Sequence, residues 1–318
     1  MKKRVIIITS IALIAVIAGM YLVVYIGVSK SVRLPRQEIF KTPANYGLSF
    51  EDIDFSSTDG IPLKGWWIPG KSKAAIFAIH GYGANRAGWV GKNRKGEVEA
   101  INFLEAAIPL NKAGYNLLYF DLRACGKSGG EKITFDKYEV NDLMGAINWF
   151  LENKSQSENM KIDRIGLLGF SLGGNIALRG GIELKKLVNS GKIHSAAVIA
   201  IGPYIWDTMA KKGHWSPLPS FLLPIAKQCF RWILGFSLSE EINPTKYINQ
   251  ISPIPIMFIQ SEKDEIGDVS DVTAMYEKAG QPKEIIILPD APRFEHYKYP
   301  SEKPERVLKF CNKYLLEN

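Results

Sequence analysis

RIGLLGFSLGGNIALRGGIELKKLV, residues 164–188, decides the architecture of this 318-residue chain. Its first seven residues form an apolar run of strand length, and the remainder has the spacing of an amphipathic helix. Between them stands Gly169-Phe170-Ser171-Leu172-Gly173-Gly174, a G-x-S-x-G pattern. Strand, sharp turn and helix in this order lift a serine hydroxyl above a sheet edge, and only small flanking residues let the two backbones approach closely enough. The same turn puts the Leu172 amide at a helix N-terminus, where an unpaired N–H can stabilise a developing oxyanion. Ser171 is therefore the candidate nucleophile.

Working outward, short apolar runs recur with helical segments between them: AAIFAIH at 74–80, YNLLYFD at 115–121, SAAVIAI at 195–201, IPIMFIQ at 254–260 and EIIIL at 284–288. Alternation of this kind predicts a mostly parallel sheet with helices on both faces. Upstream, two extended stretches around Thr58-Asp59-Gly60 read as a hairpin over 48–68. One interval breaks the rhythm. Residues 204–248, rich in aromatics and prolines, are expected to form short helices capping the site, and Tyr204, Trp206, Trp215, Phe221, Leu222, Leu223, Phe230 and Trp232 either line an acyl pocket or form the core of the cap. Pro217, Pro219 and Pro224 restrict its course.

The chain resembles the α/β-hydrolase superfamily, specifically its single-domain serine aminopeptidase or "hydrolase 4" type, over roughly residues 45–316. The likeness rests on DGIPLKGWWIPG, HGYGANR, DLRACGKSGG, GFSLGG and IPIMFIQSEKDEI. It implies an α/β-hydrolase fold and a triad in the order serine, acid, histidine. Asp264 takes the acid's position; Glu262, Glu265 and Asp268 are nearby carboxylates. Of the four histidines, His80, His194 and His214 precede the acid, which leaves His296 as the base. The family usually carries a compact A-G-H at this point, whereas the chain reads Ala291-Pro292-Arg293-Phe294-Glu295-His296, so a longer loop is expected to carry His296 to the site. The loop HGYG at 80–83 is expected to supply a second oxyanion donor, the Tyr82 amide, and Asp121 and Arg123 are expected to clamp a structural loop.

The implied chemistry is acyl transfer to water through an acyl-enzyme on Ser171, on esters in preference to peptides, with no metal or organic cofactor. The alternatives are an aminopeptidase-like amide hydrolase, or a binding module of the same fold without catalysis.

At the N-terminus, Val5 to Val28 is uncharged and would span about 36 Å as a helix, enough to cross a hydrocarbon core of about 30 Å. A retained single-pass anchor is expected over a cleaved signal peptide, because the run exceeds an ordinary signal core and ends without a small-residue cleavage pattern. A linker follows over 29–45, then one catalytic domain over 46–318. The net charge is +8, but Lys2, Lys3, Arg4, Lys30, Arg33, Arg36 and Lys41 crowd around the apolar run, a distribution suited to anionic lipid headgroups and not to nucleic acid. With both flanks basic, orientation rests on the short N-terminal tail, which favours a cytoplasmic N-terminus and an external domain. Cys125, Cys229 and Cys311 are too few and too far apart for a metal site or disulfide framework.

Overall fold

A computed structural model of the chain describes residues 2–92, 98–157, 160–212 and 219–317. His214, Trp215 and Pro217 lie outside these described residues. The polypeptide begins with one helix, α1 (Lys2–Val32), followed by the hairpin β1 (Glu51–Ser56) and β2 (Pro62–Ile68), then β3 (Ala74–Ile79). A second hairpin, β4 (Gly88–Lys92) and β5 (Val98–Asn102), precedes α2 (Ala107–Lys112), β6 (Asn116–Phe120) and α3 (Glu139–Asn153). The minor strands β7 (Gln156–Ser157) and β8 (Met160–Lys161) lead into β9 (Arg164–Phe170), α4 (Leu172–Asn189) and β10 (Ser195–Ile201). The cap interval holds α5 (Trp206–Lys211), α6 (Leu223–Leu234) and α7 (Leu238–Glu241). The chain closes with β11 (Ile256–Lys263), α8 (Val269–Lys278), β12 (Lys283–Pro292), α9 (Arg293–Glu302) and α10 (Glu305–Cys311).

Eight strands form one sheet in the order β1-β2-β6-β3-β9-β10-β11-β12. Only the β1–β2 and β2–β6 pairings are antiparallel; from β6 through β12 every neighbour runs parallel. The strand residues explain this burial. Alternate residues of β3 enter opposite cores: Ala75, Phe77 and Ile79 face the layer of α3, α4 and the cap, while Ile76 and Ala78 face that of α2 and α10. A strand covered on both faces has no polar side to show, hence its uninterrupted apolar sequence. The parallel strands deliver Ser171, Gly202 and Asp264 to one edge of the sheet, where such folds build their sites.

Two features tie the appendages to this body. The last turns of α1 bury Val24, Val28 and Val32 in the same core as the cap, and α1 packs against α6. Beyond α1, the Arg36 guanidinium donates to the carbonyls of Cys125, Ser128 and Gly130, so the expected linker is fastened to the domain surface.

Candidate active site

Ser171 sits where β9 turns into α4, with φ 55° and ψ −115°, a conformation that L residues avoid. It is over-determined by its glycines. A Cβ on Gly169 would lie 2.0 Å from the Gly173 carbonyl oxygen, and one on Gly173 would lie 2.0 Å from that of Ile79. Neither clash can be relieved without moving backbone. The Ser171 N–H donates to Ile201 at 2.7 Å, pinning the elbow to β10. Gly81 brings the 80–83 loop against it, since a Cβ there would approach the Ser171 Cβ to 3.3 Å. Tyr82 and Leu172 thus flank the serine from two sides.

His80 holds this loop. One ring nitrogen pairs with the Gly81 carbonyl at 2.8 Å and the other accepts from the Leu122 N–H at 3.0 Å, which requires a neutral ring; burial also lowers its pKa. The 121–130 loop is clamped in turn. Asp121 accepts from the Arg86 and Lys127 amides, and the Arg123 guanidinium bridges Asp59 and Asp142.

The acid and the base part company here. Asp264 is buried beside the serine and accepts from the Ile266 amide at 2.8 Å and from Gln260 Nε2 at 3.0 Å. Its main partner is Arg293, whose Nη1 donates to Oδ1 at 2.9 Å and to Oδ2 at 3.2 Å. The other guanidinium nitrogen, Nη2, donates to Ser171 Oγ at 2.9 Å. Burial pushes the Asp264 pKa up, but the Arg293 charge and the Ile266 N–H outweigh it and hold the carboxyl below the usual range. Burial likewise works against the charge on Arg293, and Tyr297 and Asp264 more than offset it.

The expected loop carrying His296 to Ser171 is not formed. Strand β12 runs on to Pro292 and α9 begins at the next residue, so Arg293 occupies the strand-to-helix junction. His296 lies almost one turn further, about 4.5 Å along the helix axis, and points inward. Its Nδ1 accepts from the Ser261 N–H at 3.1 Å. Nε2 lies against Gly202 and has no hydrogen-bond partner among the described residues. Complete burial lowers its pKa to about 3, only partly countered by Asp264, so the ring is neutral. The structure therefore joins Ser171 to Asp264 through Arg293, and leaves His296 beneath them. Ala291-Pro292-Arg293, set in register with A-G-H, is the sequence signal that points to Arg293.

Ser171, 8% exposed, opens into a cleft of about 870 Å³. Its walls are largely apolar: Tyr82, Phe135, Tyr204 and Met209 on one side, Trp89, Ile101 and Phe103 on another, with Arg293 and Tyr297 near the serine. Of the cap aromatics among the described residues, Tyr204 alone lines it. Trp206 and Phe230 pack at 5.1 Å on each other and at 5.0 and 5.9 Å on Phe135, forming cap core, while Phe221 and Trp232 face outward. A reciprocal pair, Asn175 Nδ2 to the Tyr204 carbonyl and the Tyr204 N–H to Asn175 Oδ1, both 2.9 Å, fixes the cap to the elbow helix. The β4–β5 hairpin was not foreseen; Trp89 from it stacks on Phe294 at 6.0 Å.

This fold and elbow define an α/β-hydrolase. Residues 96–248 match the family described as "Serine aminopeptidase, S33", a span that includes Ser171 and ends before Asp264 and Arg293. The chain has the α/β-hydrolase fold and is similar to that hydrolase group over those residues. It is 26% identical to protein YfhR of Salmonella typhi over 251 residues, covering 78% of this chain and 75% of that one. It is likewise 26% identical to protein YqkD of Bacillus subtilis, covering 75% and 73%. Among solved structures it resembles the Pyrococcus furiosus esterase Pf2001, with 29% identity, a TM-score of 0.68, and coverage of 90% of this chain and 99% of the esterase.

Proposed function

We propose that this protein acts on carboxylic esters, or related acyl groups, bound in the cleft over Ser171, and that Arg293 latches the serine in a resting state. The reading is carried by one observation: a serine on a strained elbow opens into a large apolar cleft. The Tyr82 and Leu172 amides are the proposed oxyanion donors. A guanidinium stays protonated at working pH, so Arg293 cannot take the serine proton, and its donation to Oγ occupies a lone pair the attack would use. Turnover thus needs an imidazole in the place Arg293 holds. His296 is already neutral, and is the nearest histidine along α9; exchange of the two side chains would complete Ser171, His296 and Asp264 as a triad. The esterase likeness supports ester over peptide substrates.

A second reading draws on the same guanidinium: a catalytically silent module that holds acyl ligands. Fluorophosphonate labelling and hydrolysis of p-nitrophenyl esters, on the parent chain and on Ser171→Ala, His296→Ala and Arg293→His, separate the two. Hydrolysis lost in both alanine variants supports the latched enzyme. An inert parent chain whose Arg293→His variant gains activity supports the silent module.

Helix α1 is long and apolar enough to cross a membrane. Its burial of Val24, Val28 and Val32 against the domain supports a retained anchor over a cleaved signal, with the catalytic domain outside the cytoplasm as the proposed orientation.

A further inference from the structure

We propose that cap helix α6 lies in the headgroup layer of the bilayer that α1 crosses, with the stripe from Phe221 to Trp232 against the lipid. The inference rests on reading α1 as a retained anchor, and its geometry comes from depth. Lys2, Lys3 and Arg4 keep the start of the hydrocarbon core no earlier than Val5. About 20 residues of helix cross a core of about 30 Å, which puts the far boundary near Val24 and Tyr25 for an upright helix and later for a tilted one. Tyr21 is then within the last ~6 Å of the core. Trp232 of α6 packs on Tyr21 with ring centroids 6.0 Å apart, so it sits at that depth as well.

The chemistry of α6 suits this position. Phe221 and Trp232 are 70% and 60% exposed, whereas Tyr204, Trp206, Phe230 and Phe236 of the cap are buried. Trp232 shares a face of α6 with the half-buried Ile225 and Gln228, and Phe221 stands in the 3-10 turn Ser220–Leu222 that leads into the helix. This stripe continues the lipid-facing surface of α1, where Leu22, Val23, Tyr25 and Ile26 are exposed. Exposed Arg231, Lys30 and Arg33 provide cations near the phosphates. The opposite face of α6 carries Phe230 onto Phe135, a wall of the cleft, so one layer of side chains separates that wall from the leaflet.

Spin-label depth measurements on the full chain, reconstituted in phosphatidylcholine–phosphatidylglycerol vesicles, test this. Labels go on Phe221→Cys, Trp232→Cys, Ile14→Cys and Ser190→Cys, with the parent chain and its buried Cys125, Cys229 and Cys311 as the background. Labels at 221 and 232 should show several-fold lower accessibility to a polar nickel reagent than the label at 190, and a higher oxygen-to-nickel ratio. The label at 14 should report hydrocarbon. Labels at 221 and 232 as aqueous as 190, with 14 in hydrocarbon, would overturn the proposal and leave the anchor standing; an aqueous label at 14 would overturn both. The Ser171→Ala background should give the same depths, since nothing here depends on turnover. The Phe221 label stands alone if Trp232→Cys loosens its contact with Tyr21.

Discussion

Arginine and histidine between an acid and a serine differ in more than charge: one is a permanent fivefold donor, the other can accept a proton near neutrality. His296→Ala should therefore lower ester hydrolysis by roughly 10²–10⁴, the usual worth of a positioned general base, measured as kcat on a p-nitrophenyl ester, and Arg293→His, which needs no exchange, should make hydrolysis independent of His296. Arg293→Ala should instead destabilise the fold by about 3–5 kcal/mol, because it strands the fully buried Asp264 carboxylate; urea denaturation would show it. His296 makes a prediction of opposite kind. Its folded pKa of about 3 lies below an unfolded value of about 6.5, so the unfolded chain binds the extra proton on acidification. Its stabilising contribution is complete above pH ~6.5 and is lost progressively as pH falls towards 3. Melting curves between pH 4 and 7.5 should show less acid sensitivity in His296→Gln than in the parent chain. At this scale the elbow was readable because Gly169, Ser171 and Gly173 stand within five residues between a strand and a helix, even though Ile79, Gly81 and Ile201 complete its packing. The placement of His296 was not, since it depends on where β12 stops, and ten residues of strand running to Pro292 left no loop to lengthen.

Among elements, the parallel strands were legible because full burial leaves an apolar run whose limits nearly coincide with the strand. SAAVIAI and RIGLLGF match β10 and β9 residue for residue. The β4–β5 hairpin carries no such signal: GWVGK and VEAIN mix charged, small and apolar residues in a solvent-edged pair. It nevertheless builds one wall of the cleft. Elements also decide what substitutions do in the cap. Trp206 is core between Phe135 and Phe230, so Trp206→Ala should cost about 3–5 kcal/mol of stability without a direct change in chain-length preference. Met209→Ala, which widens the cleft itself, should shift activity towards longer acyl chains. Equal selectivity across an ester series in Met209→Ala and the parent chain would remove α5 from substrate selection. Gly173→Ala should cost at least about 1–3 kcal/mol and abolish labelling of Ser171, because its Cβ displaces the Ile79 carbonyl.

On the scale of the whole molecule, α1 works as two segments. Its first part, to about residue 20, is bare; its last turns belong to the domain, with Val24, Val28 and Val32 buried and the Ser31 carbonyl accepting from Tyr82 Oη at 2.6 Å. The apolar run over 5–28 was plain in the sequence, but this division was not, because an exposed valine and a valine facing a cap helix read alike. Removing the two segments should have separable effects. A chain starting at residue 21 keeps the packed turns and should leave membranes without detergent while melting close to the parent. A chain starting at residue 35 loses three buried valines, worth about 1.5–3 kcal/mol each, and also the bond that steadies the 80–83 loop. It should melt several degrees lower and label more slowly at Ser171. Identical melting and labelling of the two truncated chains would mean that the last turns of α1 contribute nothing to the domain or to the site.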